Sequence, residues 1–302
     1  MAGGVETVGK VIGRLRSVME RQAYYLEGIG FLVEIRKKIK LAGVVLLLPM
    51  LLSGCDAFSS EPTYGGLSIA GFNYTPYNLE RFVITDNYGN RAGGGGDLMP
   101  GSGQGSLSCC YKLKGTEFTV NWSVYDVDEA IRASRASESY ETFYKTAQVH
   151  MPPTKAKSDR GLLVLGLHFY PDDHVEFEFR TDLQGTRIIY GDVWYWLLNT
   201  HAKLINPHNE HETSVVFRRA ARLTAKGWIK HRFTDTKDLQ QYAYYTLLNP
   251  KFDEHPEVQK ILSETKDQPG AFGVAMENLP APLVEELKRN TFKQTATSRN
   301  HG

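Results

Sequence analysis

The sequence predicts an α+β protein: an antiparallel, β-rich, sandwich-like N-terminal half packed with a helix-rich C-terminal half, preceded by a signal segment. Two observations carry the prediction. Residues 117–124 and 174–180 alternate strictly between apolar and polar, the period of half-buried strands. From about Asp192 the texture changes to longer segments with helix-start signals at Asp235, Pro256 and Pro282.

Taken in order, residues 67–75 and 80–86 read as strands joined around Pro76. The glycine-dense stretch 87–105 reads as a mobile loop, because glycine has the most backbone entropy to lose. Residues 107–113 and 117–124 follow as strands paired over Lys114-Gly115, the second with Phe118, Val120, Trp122 and Val124 on one face. Residues 126–144 have helical composition, with Asp126 or Asp128 as N-cap, and strand character returns at 146–151. The near-continuous apolar run 161–169 suits a central strand, and Pro171-Asp172-Asp173 turns it into residues 174–180. Beyond the aromatic run 193–198, residues 214–229 fit helix or strand. Helices are expected over 235–248, 256–263 and 282–292.

Charge divides the 302-residue chain differently. The formal net charge of +1 is the sum of a basic head, residues 1–54, and a mildly acidic body. Such a body lacks the basic face of a nucleic-acid binder, so no nucleic-acid partner is expected. In the head, Arg36-Lys37-Lys38-Ile39-Lys40 precedes an apolar run over residues 41–52, too short to span a bilayer and of signal-segment length. The run ends in Leu52-Ser53-Gly54-Cys55, which looks like a bacterial lipobox with Cys55 as the lipidated residue. These features divide the chain into a leader (1–32), signal peptide (33–54), tether (55–66), β-rich unit (67–190) and helix-rich unit of the same globule (191–302). The leader is read as untranslated, with the start at Leu32 or Val33 and Met19 as the alternative. The mature chain would be lipid-anchored in the cell envelope and face the periplasm, and Asp56 hints at the inner membrane.

With Cys55 acylated, Cys109 and Cys110 are left in an oxidising compartment. Adjacent cysteines close only a strained ring, so the pair is a candidate vicinal disulfide or, otherwise, two thiols on opposite strand faces with one buried. Gly101 to Ser106 lacks the Gly-Lys-Ser/Thr ending of a phosphate loop. His208 and His211, with His201 and Glu212 nearby, are weak metal candidates without the H-E-x-x-H spacing, and no metal or other cofactor is expected. Glu176 and Glu178, with Asp172 and Asp173, read as the solvated face of a hairpin rather than as a catalytic pair. Arg218, Arg219, Arg222, Lys226, Lys230 and Arg232 read as a solvated basic helix face that could otherwise meet anionic headgroups. Trp194, Tyr195 and Trp196, with Tyr242 and Tyr245, are candidate partner-binding aromatics.

The lipobox, Gly71-Phe-Asn-Tyr-Thr-Pro76, the glycine-rich stretch, Ser108-Cys-Cys110, the strand bearing Trp122 and Leu167-His-Phe-Tyr-Pro171 occur in this order. In these features residues 65–182 resemble a proteobacterial lipoprotein family of unknown function. Some of its members are thought to be immunity proteins to type VI secretion phospholipase effectors. The resemblance implies a binding role, no catalytic residues and a secreted phospholipase as partner. The alternative expectation is a structural or envelope-maintenance lipoprotein that binds glycan or another envelope protein.

Overall fold

A computed structural model describes residues 61–155, 163–181 and 185–289, which belong to one compact unit. The expected leader, the signal peptide and Cys55 lie outside the described residues. The fold class is α+β, as expected: antiparallel-rich sheets occupy the first half and helices the second.

The strands are β1 (Thr63–Asn73), β2 (Asn78–Asp86), β3 (Arg91–Leu98), β4 (Gly103–Lys114), β5 (Glu117–Tyr125), β6 (Thr142–His150), β7 (Val164–Phe169) and β8 (Val175–Arg180). They form two four-stranded sheets, ordered β4-β1-β7-β8 and β3-β2-β5-β6. Every neighbouring pair is antiparallel except β1 and β7. The helices are α1 (Val127–Ala136), α2 (Tyr190–Ile205), α3 (Thr213–His231), α4 (Thr236–Leu248), α5 (Pro256–Glu264), α6 (Ala271–Glu277) and α7 (Ala281–Arg289), with a 3-10 turn at Phe252–Glu254.

The central strands of the first sheet, β1 and β7, are buried on both faces, which explains the unbroken burial of β7. Toward the second sheet they present Leu67, Ile69, Leu165, Leu167 and Phe169, which meet Leu79, Phe82, Ile84, Val120 and Trp122. The opposite face carries Ala70, Phe72, Tyr74 and Val164 into a second core with Val193, Leu197, Ala220 and Leu239 of α2, α3 and α4. Each large side chain buried this way stabilises by about 1.5–3 kcal/mol relative to exposure. A third cluster, including Tyr245, Phe252, Val258, Phe272 and Met276, ties the C-terminal helices to α4.

Several local expectations are corrected. β1 and β2 are joined around Pro76 as expected, and β4 and β5, expected to pair, lie in different sheets. Lys114-Gly115 is therefore a crossing between sheets rather than a hairpin, with Gly115 at φ +94°. The glycine-dense stretch contains β3, and its glycines are needed for close approach. A Cβ on Gly93 would lie 2.8 Å from the Phe82 carbonyl oxygen, and one on Gly94 would lie 2.7 Å from the Phe82 ring. β1 begins at Thr63, inside the expected tether, because Tyr64 is buried and packs 5.2 Å from Phe179. The helix after β5 is capped by Asp126, whose carboxylate accepts from the Asp128 and Glu129 N–H groups. It stops at Ala136, where Ser137 turns left-handed at φ +60°, and the chain returns as β6 from Thr142. Residues 214–229, open to either assignment, lie within the helix Thr213–His231. The β7–β8 hairpin, the Asp235 cap and Pro256 at the first turn of α5 stand as expected.

Candidate functional site

The expected site residues fall in separate places. Cys109 and Cys110 lie on β4, an edge strand. Leu67 pairs with Tyr111 and Ile69 with Ser108, so β4 spends one residue more than β1 there, a bulge with Cys110 at φ +72°. The bulge breaks the alternation of the strand. Both thiols are exposed and unbridged, so the structure holds neither the vicinal disulfide nor the arrangement with one thiol buried. A hydrogen bond with Cys110 raises the Cys109 thiol above the ordinary range.

His208 and His211 are exposed in the turn between α2 and α3. Among the described residues no group of three or more His, Cys, Asp or Glu side chains gathers as metal ligands would. Of the candidate aromatics, Tyr242 and Tyr245 are core residues, 1% and 3% exposed, and cannot meet a partner. Burial raises both hydroxyls, that of Tyr245 to about 12. Trp194 and Trp196 are half-buried on α2, Trp194 edge-on to Phe217 and Trp196 edge-on to His201, which stacks on Tyr244 at 4.1 Å. Tyr195 alone of the five is largely exposed.

The basic stretch of α3 is not a solvated face, because most of it is tied internally. Arg218 is buried and donates through Nε and Nη2 to Asp128, at 2.9 and 2.6 Å. Arg222 joins Asp126 and Asp128, Arg219 pairs with Glu210, and Lys230 with Asp253. Against the opposing effect of burial, the two arginines hold the Asp128 carboxyl below the usual carboxylate range. Arg232 caps α3, lies over the Trp228 ring and pairs with Asp172 at 2.9 Å.

Glu176 and Glu178 share one face of β8 and keep solvent contact, as expected, and that face is also an ionic seam. At its centre His168 of β7 is fully buried. The Arg187 N–H donates to the Tyr74 hydroxyl at 2.9 Å, which leaves that hydroxyl to donate to His168 Nδ1 at 3.1 Å. His168 Nε2–H then donates to Glu178 at 2.8 Å. This chain of donors fixes a neutral imidazole, and burial followed by the Arg187 charge lowers its pKa to about 4. The Arg187 guanidinium pairs with Glu176 and donates to the Tyr170 hydroxyl at 2.9 Å. The order carboxylate, imidazole, hydroxyl resembles a nucleophile relay. Tyr74 is fully buried, however, and burial raises its hydroxyl well above the ordinary tyrosine range, so this relay clamps the sheet to the chain entering α2.

The remaining large surface feature is the outer face of the second sheet. Arg81, Arg91 and Tyr144 are exposed on it. It forms a trough of about 480 Å³, with Arg81 and Arg91 on one side and Tyr144, 75% exposed, on the other. Register builds it: Arg81 lies between Gly95 and Ser123, and Ser123 lies opposite Tyr144. One step along, Val83 lies between Gly93 and Asn121, and Asn121 lies opposite Thr146, which donates to it at 2.7 Å. Because β3 offers glycine where a side-chain wall would stand, the trough is open toward both arginines. Sequence reading missed this site. Tyr144 falls at the end of the segment read as helical, and only the pairing of β6 with β5 and of β5 with β2 brings it beside Arg81. A second cleft, of about 580 Å³, lies beyond the end of α3, and its Lys230 and Arg232 are already engaged by Asp253 and Asp172.

The chain matches no protein-family model, and neither a curated protein nor a solved structure is significantly similar to it.

Proposed function

We propose that the protein is a lipid-anchored, periplasm-facing lipoprotein that binds a secreted phospholipase toxin and blocks it. The observation that carries the binding part of this reading is the outer face of the second sheet, where two exposed arginines and a tyrosine that is 75% exposed surround a trough. Arg and Tyr are the residue types that most often anchor protein interfaces. They stand here on a sheet whose other face is packed in the core, so little ordering is required on binding. Support for the location comes from the basic cluster, the apolar run and Leu52-Ser53-Gly54-Cys55. Support for the type of partner comes from the resemblance of residues 65–182 to the lipoprotein family. An anchor through Cys55 would hold the inhibitor at the surface where a phospholipase meets its substrate, raising its effective concentration there. In this reading the protein acts by occupying the entrance of the toxin and needs no catalytic group of its own.

The test is protection. Cells deleted for the gene are expected to be killed by siblings delivering the phospholipase, and to be rescued by the wild-type chain. A Cys55→Ser chain is expected to leave the membrane fraction and to rescue poorly. Unchanged survival of the deletion strain would refute the reading.

A further inference from the structure

We infer that the trough on the outer face of the second sheet receives a carboxylate-rich, acidic segment of the partner protein. The inference rests on the proposed binding role and names the chemistry that the site selects. The observation is an imbalance of satisfied charges. All four carboxylates on the strands of this sheet are engaged within the molecule. Glu80 accepts from the Ser123 hydroxyl at 2.7 Å, and Glu117 pairs with His150. Asp97 accepts from Asn78 and Tyr125. Asp86 accepts from the Lys114, Tyr88 and Asn90 N–H groups and from the Asn90 side chain.

Of the cations on the same strands, Lys145 is engaged by Asp173 at 2.5 Å. The side chains of Arg81 and Arg91 are exposed and have no hydrogen-bond or ion-pair partner among the described residues. The groups lining the trough add no carboxylate. Asn121 accepts from Thr146 through its oxygen, which leaves its amide N–H groups free to donate. The spare capacity of the trough therefore consists of two guanidinium forks, one amide and the Tyr144 hydroxyl. Guanidinium forks match carboxylates bidentately, and such charge-assisted bonds are the stronger class. With Val83 on the floor and Tyr144 as a wall, an extended acidic segment would find apolar cover between its charges.

The test uses the full-length protein in neutral detergent and a fluorescein-labelled polyglutamate peptide, with polyglutamine as control. The wild type is expected to bind polyglutamate alone and to weaken steeply with added salt. The R81E/R91E variant is expected to bind about tenfold or more weakly and to melt as the wild type does, since neither arginine side chain has a partner to lose among the described residues. Equal binding by R81E/R91E, or no binding by the wild type, would overturn the inference. Preferential binding to phosphatidylglycerol vesicles that R81E/R91E abolishes would also overturn it, by giving the trough to a membrane surface. The protection assay separates the two proposals. If R81E/R91E loses peptide binding while the deletion strain survives intoxication, immunity falls and the trough stands. If R81E/R91E protects as well as the wild type, the trough falls and immunity stands.

Discussion

His168 shows how one polar residue in an apolar strand shapes its surroundings. A buried imidazole must have both nitrogens satisfied, and Tyr74, just beyond β1, and Glu178 of β8 do this. Its pKa in the folded chain, about 4, lies below the ordinary 6.5. Between those values the unfolded chain holds a proton that the folded chain refuses. The contribution of neutral His168 is therefore complete above about pH 6.5 and is lost as pH falls toward 4, with a span of about 3 kcal/mol. In a His168→Gln variant the slope of stability against pH across this window is expected to flatten relative to the wild type. Urea midpoints measured at successive pH values check this, and parallel curves for the two proteins would contradict it.

At the scale of elements, α1 is a short helix held in place from a distance. Its own sequence supplies the Asp126 cap, but its anchor is Asp128, which meets Arg218 and Arg222 of α3. Arg218 is buried, so removing the carboxylate strands a charge away from water. Asp128→Ala is expected to cost about 3 kcal/mol, the low end for breaking a buried pair, since Asp128 itself keeps some solvent contact. Combining Asp128→Leu with Arg218→Met is expected to recover much of that loss, because no buried charge then remains. Denaturant unfolding of the single and double variants measures both effects. Sequence reading took these arginines for a solvated face because helical spacing says where a side chain sits on its own helix. It carries no information about an acid 90 residues away.

For the whole molecule, the first sheet acts as a shared wall. Ile69 and Leu167 face the other sheet, while Phe72 and Tyr74 of the same strands' layer face α2, α3 and α4. Neither half can open without exposing one side of this sheet. Backbone circular dichroism and tryptophan fluorescence are accordingly expected to report a single coincident unfolding transition. Phe72→Ala is expected to lower that transition as a whole, by about 3–5 kcal/mol in stability, rather than to release the helices first. Two separated transitions would show that the halves are independent. The ionic seam of Arg187, Glu176 and Glu178 lies along the same wall, so the hairpin face keeps the solvent contact expected of it and also serves as a junction.

Much of the local structure was legible in the sequence because its causes are local. Alternation marked β5 and β8, an unbroken apolar run marked the doubly covered β7, and Asp126, Asp235 and Pro256 marked helix starts through their own hydrogen-bonding and backbone preferences. The fold class followed from the order of those segments. Strand partners did not follow, since the same alternation serves either sheet, and the glycines of β3 read as a loop until the Phe82 backbone and ring filled the space beside them. The candidate site depends wholly on that undetermined step. Arg81, Arg91 and Tyr144 come from three strands, and only the pairing of β3, β2, β5 and β6 places them around one trough. Sequence by itself determined the fold class and the strands and helix starts whose causes are local, through short-range sterics and side-chain periodicity. Tertiary structure alone decided which faces are covered and which charges are left unpaired, because burial is a property of surfaces that meet across the chain.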